Sequence, residues 1–194
     1  QLPSGAKVGT GSLRRKSQLL NYRSDLIVEP IRGNIDTRLK KLEEEDLDAI
    51  ILAAAGLERM NWEDKITEYL NPEISIPAAG QGALVIETRS KDDRIKKILT
   101  EIKDPITETT VQAERKFLEH LDGDCKVPIG AYAQVEEDEL SIIGMVGELD
   151  GSNILKDKVV GAKKEAKKLG TKLAEKLVDK GALEILARIK EEGE

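Results

Sequence analysis

Cysteine, histidine, tryptophan and phenylalanine each occur once in the 194 residues, and aromatic residues make up only 3% of the chain. A single thiol, Cys125, excludes an intramolecular disulfide and a multi-thiolate metal site, and with one imidazole no metal centre is expected. The scarcity of thiols fits a reducing, cytoplasmic setting. Long apolar runs are missing too. The longest stretch of apolar residues and glycine, Ala49–Leu57, falls far short of the roughly 20 residues that cross a bilayer, so a soluble protein with no membrane partner is expected. Basic residues number 31 against 37 acidic ones, a net charge of -6. Such an acidic, aromatic-poor chain lacks the positive field and stacking faces of a general nucleic-acid binder. Gln1–Gly5 holds neither an initiator Met nor the basic-then-apolar pattern of a signal peptide, and the chain is expected to be part of a longer one.

What is present is an alternation of strand and helix. Lys7–Gly9 reads as a strand that turns through Gly9–Ser12 into a helix over Leu13–Tyr22. Asp25–Pro30 is the next strand, and Asn34 caps a helix from Ile35 to Glu44 with Ile35, Leu39 and Leu42 on one face. The continuous apolar run Ala49–Ala54 suits a strand buried on both faces of a parallel sheet. This pattern predicts an α/β layer structure. A helical patch at Trp62–Leu70 follows, then extended stretches at Glu73–Pro77 and Ala83–Thr88 around the loop Ala78–Gly82. Asp92–Lys103 is expected to be an amphipathic helix that turns Ile95, Ile98, Leu99 and Ile102 inward and ends at Pro105. Near that point the pattern changes to a helix over Thr109–His120 and strands at Ile129–Val135, Leu140–Val146 and Ile154–Val160. Short turns join these strands, which should therefore be antiparallel. A last helix runs from Lys163 past Gly181 to Ile189, giving an α+β C-terminal domain: a three-stranded antiparallel sheet with helices.

Arginine is the rarer cation, ten residues against twenty-one lysines, and six arginines fall within the first sixty residues. Arginine grips carboxylates and phosphates through paired hydrogen bonds, whereas lysine is the usual solvating charge. Arg14 and Arg15 lie in the first turn of a helix after a small-residue turn, where free N–H groups already favour an anion. Arg32 lies in a strand-to-helix connection, Arg38 one turn into the next helix and Arg59 just after the third strand. In an open α/β sheet these places lie near the carboxyl ends of strands, where ligands bind. On spacing alone an anion site and a solvated charged surface are both open. Cys125 sits in the polar loop His120–Pro128, where it reads either as a small buried residue or as a covalent attachment point.

Five segments in order, Val8–Arg15, Ile31–Leu39, Asp48–Leu57, Pro77–Ala83 and Gly123–Gly130, identify the chain as similar to the porphobilinogen deaminase, or hydroxymethylbilane synthase, family. The resemblance implies a transferase of tetrapyrrole (haem) biosynthesis. It condenses four porphobilinogen molecules stepwise, with release of ammonia, on a dipyrromethane primer bound through a thioether to Cys125. Each pyrrole carries an acetate and a propionate. By resemblance, Arg14, Arg15, Arg38, Thr10 and Ser12 contact the cofactor, and Arg32, Arg59 and Gln81 contact porphobilinogen and the growing polypyrrole.

The resemblance further implies a periplasmic-binding-protein-like α/β domain over 1–82, a crossing segment over 83–100 that returns to a preceding domain, and the cysteine-bearing domain over 101–194. The catalytic Asp is expected in that preceding part, no catalytic residue in this chain, and the chain alone is expected to be inactive. By the same resemblance the missing domain, as a separate polypeptide, is a partner to be expected, and the intact protein is expected to be a monomer. Gly11 and Asp124 stand where the family more often has Ser and Gly. A module of periplasmic-binding-protein type that holds a small dicarboxylate without chemistry is the alternative, and it has no use for Cys125 as an attachment point.

Overall fold

The computed structural model describes residues 2–123 and 126–192, so Asp124 and Cys125, with every expectation placed on them, lie outside the described residues. Its N-terminal half is a small parallel sheet. Strand β1 (Lys7–Gly9) is central, flanked by β2 (Ile27–Glu29) and β3 (Ala49–Ile50), with Val8 opposite both Val28 and Ala49. Helices α1 (Leu13–Tyr22) and α2 (Ile35–Glu44) form the crossovers, each started by a side-chain cap. Ser12 accepts from the Arg15 amide and Asn34 from the Thr37 amide. Ala6, Val8, Leu19 and Leu26 make the local core.

Several elements are shorter than their sequence patterns. The strand expected at Asp25–Pro30 is confined to β2, and that at Ala49–Ala54 to β3, whose residues are half-buried rather than covered on both faces. The reason lies in β1. Its ladder ends at Gly9, so after Ile51 donates to the Gly9 carbonyl the chain has no further strand to pair with, and the alanines enter helix α3 (Ala54–Glu58). The patch at Trp62–Leu70 yields only a 3₁₀ turn, Glu63–Lys65, because Ile66 is already extended. Neither Glu73–Pro77 nor Ala83–Thr88 joins a ladder among the described residues.

Helix α4 (Asp93–Thr100), capped by Asp92, is shorter than expected, and its apolar stripe does not turn inward. Ile98 is 55% and Ile102 67% exposed, because nothing among the described residues packs on that face. Pro105 does more than end this segment. It occupies the first turn of α5 (Pro105–His120), where its missing N–H costs nothing, behind the Asp104 cap.

The C-terminal half is the expected antiparallel meander, in the order β4 (Ile129–Glu136), β5 (Glu139–Gly147), β6 (Ile154–Ala162). Phe117 from α5, Leu140 and Ile142 from β5, and Leu173 and Leu177 from α6 (Ala166–Val178) are fully buried in its core. The single helix expected up to Ile189 is two. Gly181, at φ +96°, breaks it between α6 and α7 (Ala182–Glu192), a conformation that a residue with a Cβ rarely adopts. The two halves meet along α1, where Asn21 donates to the Gly151 carbonyl at 2.9 Å, and along the segment before Pro77, where Lys156 donates to the Glu73 carbonyl at 2.6 Å.

Asp157 on β6 straps α6 to the sheet, with Lys176 Nζ at 2.8 Å and Lys180 Nζ at 2.7 Å. The two lysines hold its carboxyl well below the usual range, so its contribution is complete above the unfolded value of 3.8 and is lost as pH falls below it. Asp157→Asn is expected to lower stability by about 1 kcal/mol at neutral pH. In urea titrations at a series of pH values, the gap from the parent chain should close on acidification below about pH 4.

Candidate functional site

The first turn of α1 points its arginines at the loop that follows Ile76. Arg14 Nε donates to the Ile76 carbonyl at 3.1 Å, and Arg14 Nη2 donates to Gln81 Oε1 at 3.2 Å. Its aliphatic stem lies over β4 at Gly130, where a Cβ would stand only 2.8 Å from Arg14 Cδ, so a glycine is what lets the guanidinium cross from one half to the other. Arg15 is 9% exposed and donates to the Ile51 carbonyl at 2.9 Å, at the carboxyl end of β3. Arg38 donates to the Gly33 carbonyl at 2.8 Å and lies close enough to Arg15 to depress its pKa. Arg59 donates to the Gly82 carbonyl at 3.1 Å, on the far side of the same loop.

Burial, with the neighbouring positive charge of Arg15, lowers the Arg14 pKa to about 10, and burial and Arg38 lower that of Arg15. Arg14 therefore remains protonated at neutral pH. None of Arg14, Arg15, Arg32, Arg38 and Arg59 has a carboxylate partner among the described residues, whereas Arg23, Arg89 and Arg188 each form an ion pair. The partners of Arg14, Arg15, Arg38 and Arg59 are neutral carbonyl or amide oxygens, and Arg14 spends two of its five N–H donors on them. A cluster of cations with spare donors and no internal counter-ion is chemically suited to a polycarboxylate ligand.

The other expected contacts divide. Gln81 joins the cluster through Arg14. Thr10 and Ser12 act locally. The Thr10 hydroxyl accepts from the Ser12 amide at 3.3 Å, and the Ser12 hydroxyl caps α1. Arg32 is exposed and makes no hydrogen bond or ion pair among the described residues. The loop that carries it backs onto the turn at Gly11, where a Cβ would meet the Ile31 carbonyl oxygen at 2.6 Å. Gly11 therefore keeps these two loops in contact, which a serine would disturb.

Two residues went unread in the sequence. Gln18, 5% exposed, accepts from the Ile76 amide at 2.7 Å and donates to the Ile76 carbonyl at 3.1 Å. Glu114, 6% exposed, accepts from the Gly80 amide at 2.6 Å and from the Ala133 amide at 2.8 Å. The available signal was a polar residue on a buried stripe. Glu114 precedes Phe117 by three positions, on the face of α5 that enters the core.

Residues 1–97 match the family model described as porphobilinogen deaminase, dipyromethane cofactor binding domain, and residues 108–179 match the porphobilinogen deaminase C-terminal domain. The chain belongs to the porphobilinogen deaminase family. It is 52% identical over 192 residues to a porphobilinogen deaminase of Oceanobacillus iheyensis, an alignment that covers 98% of this chain and 62% of that one. It is 51% identical over 195 residues to that of Brevibacillus brevis, with 100% and 62% covered, and 47% identical over 189 residues to that of Syntrophotalea carbinolica, with 97% and 60% covered. The chain thus spans about three fifths of the length of these curated relatives.

Among the described residues no group of three or more His, Cys, Asp or Glu side chains is placed to hold a metal ion, and no helix is long and apolar enough to cross a membrane. The family's cofactor domain is the arginine-bearing half of this structure. A dipyrromethane is a polycarboxylate, and the unpaired guanidinium donors of Arg14, Arg15 and Arg38 fit its chemistry.

The grip of Gln18 on Ile76 underlies this arrangement. Gln18→Leu strands the Ile76 amide, while the Ile76 carbonyl keeps its bond from Arg14. A buried unsatisfied donor costs about 1–3 kcal/mol, and urea denaturation of the variant is expected to show a loss in that range.

Proposed function

We propose that this chain is the carboxylate-holding and primer-bearing part of a hydroxymethylbilane synthase, which joins four porphobilinogen molecules head to tail and releases ammonia at each condensation. The observation that carries the reading is the guanidinium of Arg14, shielded enough to lower its pKa to about 10, still charged, and bonded only to neutral oxygens. Beside it Arg15 and Arg38 add positive charge without a carboxylate partner among the described residues. Every pyrrole of the substrate carries an acetate and a propionate, so each added ring brings two carboxylates to be held.

In this reading Arg14, Arg15 and Arg38 bind the side chains of the dipyrromethane, with Thr10 and Ser12 beside them. Arg32, Arg59 and Gln81 meet porphobilinogen and the growing polypyrrole. Dipyrromethane, joined to the Cys125 sulfur through a thioether, supplies the terminal pyrrole to which incoming rings are added. The arginines hold and orient carboxylates, but a cation cannot stabilise a positively charged pyrrole nitrogen. That role needs an anion. We assign it to an Asp outside this chain, so the chain alone binds without turning over.

The finer architecture is part of the same proposal. Residues 1–82 form a domain of periplasmic-binding-protein type, 101–194 the cysteine-bearing domain, and 83–100 a crossing segment completed by a preceding domain, on the same or a separate polypeptide. Leu84, Val85 and Ile86 support this, because they are 79%, 68% and 57% exposed in a segment that belongs to no helix or strand and has no ladder partner among the described residues. The intact protein is a cytoplasmic monomer in this reading. A non-catalytic dicarboxylate-binding module would use the same arginines but leave the thiol free.

Two measurements test the reading. Intact mass of the purified protein should show a dipyrromethane adduct that is absent from Cys125→Ser, and an adduct on any other residue overturns the assignment. In the protein that carries both this chain and the domain proposed to precede it, Arg14→Leu or Arg15→Leu should lower kcat/KM for porphobilinogen roughly ten- to a hundred-fold, the loss of one charge-assisted bond. Lys96→Leu on the exposed α4 should change it by less than about fivefold. Equal rates in all three variants would leave the arginines as solvated surface.

A further inference from the structure

Glu114 is the only carboxylate buried among the described residues, and none of them supplies it with a cationic partner. Burial pushes its pKa up, while two backbone N–H bonds pull it down. A charge in such a place is a poor way merely to fill a core, because desolvation opposes it. Its geometry shows another use. Oε2 takes the Gly80 amide and Oε1 the Ala133 amide, so two donors converge on one side chain that must offer two acceptors. Glutamine offers one acceptor and would turn an N–H₂ group towards the other donor.

The two amides belong to the two structures that flank Arg14. Gly80 precedes Gln81, whose Oε1 receives Arg14 Nη2, and Ala133 lies on β4 three residues beyond Gly130, over which the Arg14 stem runs. Between the loop and α5 lies a cavity of about 230 Å³, lined among others by Gly82, Thr107, Thr110 and Tyr132. Apart from Val111, whose Cγ1 would stand 3.8 Å from a Cβ at Gly80, the loop is held on this side by the Glu114 carboxylate. Glu114 spans the gap.

We propose that Glu114 is a positioning residue: by tying Gly80 to Ala133 across this cavity it fixes Gln81, and through Gln81 it aims the Arg14 guanidinium at its carboxylate ligand. The ligand half of this statement rests on the carboxylate-binding reading above; the link from Glu114 to Arg14 does not.

The test uses the ¹⁵N-labelled 194-residue chain and its Glu114→Gln, Gln81→Ala and doubly substituted variants. Glu114→Gln should speed hydrogen exchange of the Gly80 amide about tenfold, the loss of roughly one hydrogen bond, and shift the Arg14 Nε–H resonance. The Phe117 and Leu173 amides of the core should keep their protection. Equal acceleration at all these amides, or an unmoved Arg14 resonance, overturns the proposal and makes Glu114 a structural brace. If Glu114→Gln does not fold, Glu114→Asp, which keeps both acceptors on a shorter side chain, must give the same order of effects, and their absence is equally fatal.

Calorimetric titration of the primer-free chain with porphobilinogen, whose acetate and propionate stand in for those of the primer rings that Arg14 is proposed to hold, adds the ligand arm. Glu114→Gln and Gln81→Ala should each weaken binding, and the double variant should be no weaker than the worse single one, because both act through one link. Multiplying effects would refute that link. If the parent chain does not bind porphobilinogen, the functional reading fails, and the exchange and resonance data still decide whether Glu114 positions Arg14.

Discussion

The backbone from Ile76 to Gly82 joins no strand ladder, so its N–H and C=O groups must find partners elsewhere or bear the cost of burial without them. It finds them on both sides. Gln18 and Arg14 of α1 take the two polar groups of Ile76, Ala131 of β4 donates to the Pro77 carbonyl at 3.1 Å, and Glu114 of α5 takes the Gly80 amide. Because β4 is the edge strand of its sheet, the amides of Ala131 and Ala133 point away from β5, and the same segment and Glu114 cover them. One irregular stretch therefore satisfies the open edge of one half and the arginine-bearing helix of the other. The positions of Arg14, Gln81 and Arg59 all follow from it.

This dependence explains what could be read from the sequence. Elements held by local chemistry were legible: Asn34 caps its helix as expected, the helix after the Gly9–Ser12 turn spans Leu13–Tyr22 as expected, and the strands joined by short turns in Ile129–Val160 are antiparallel to within a few residues. Elements whose limits depend on a neighbour were not. The run Ala49–Ala54 carries the composition of a buried strand, yet pairing stops where β1 stops. At the site, the arginine types left an anion site and a solvated surface both open, and only the family resemblance implied carboxylates; their convergence on residues 76–82 did not show, because Ile76 and Gln18 are 58 positions apart and linked by a side chain. Glu114 was hidden by its type. A carboxylate on a helix is normally solvent-facing, and only its spacing from Phe117 betrays the buried stripe.

The distribution of apolar surface makes a second point. The C-terminal core is closed, with Phe117, Leu140, Ile142, Leu173 and Leu177 essentially without solvent contact. Between Ala83 and Ile106 the opposite holds: Leu84, Val85, Ile86, Ile98, Ile102 and Ile106 are each more than half exposed. Apolar exposure this concentrated in one stretch of chain is uncommon where the segment faces only water. The α4 stripe has the period of a packed helix, yet the local fold needs none of these side chains to close its own core, which is what the proposed crossing segment would require.

The arginine cluster is uncompensated in the electrostatic sense as the apolar segment is in the hydrophobic one. Placing Arg14, Arg15 and Arg38 near one another in a half-buried site opposes folding, through desolvation and mutual repulsion, and both effects appear as lowered arginine pKa values. A guanidinium with a pKa of about 10 still carries its full charge at neutral pH, because about three units separate the two. In the proposed reading the unfavourable energy is therefore already present before the ligand carboxylate arrives, and its arrival would relieve it. Carbonyl oxygens of Ile51, Ile76 and Gly33 hold the guanidinium planes without neutralising them, so orientation is fixed while charge remains available. A carboxylate supplied by the protein in their place would give a more stable fold and a weaker site, since an incoming ligand would first have to displace it.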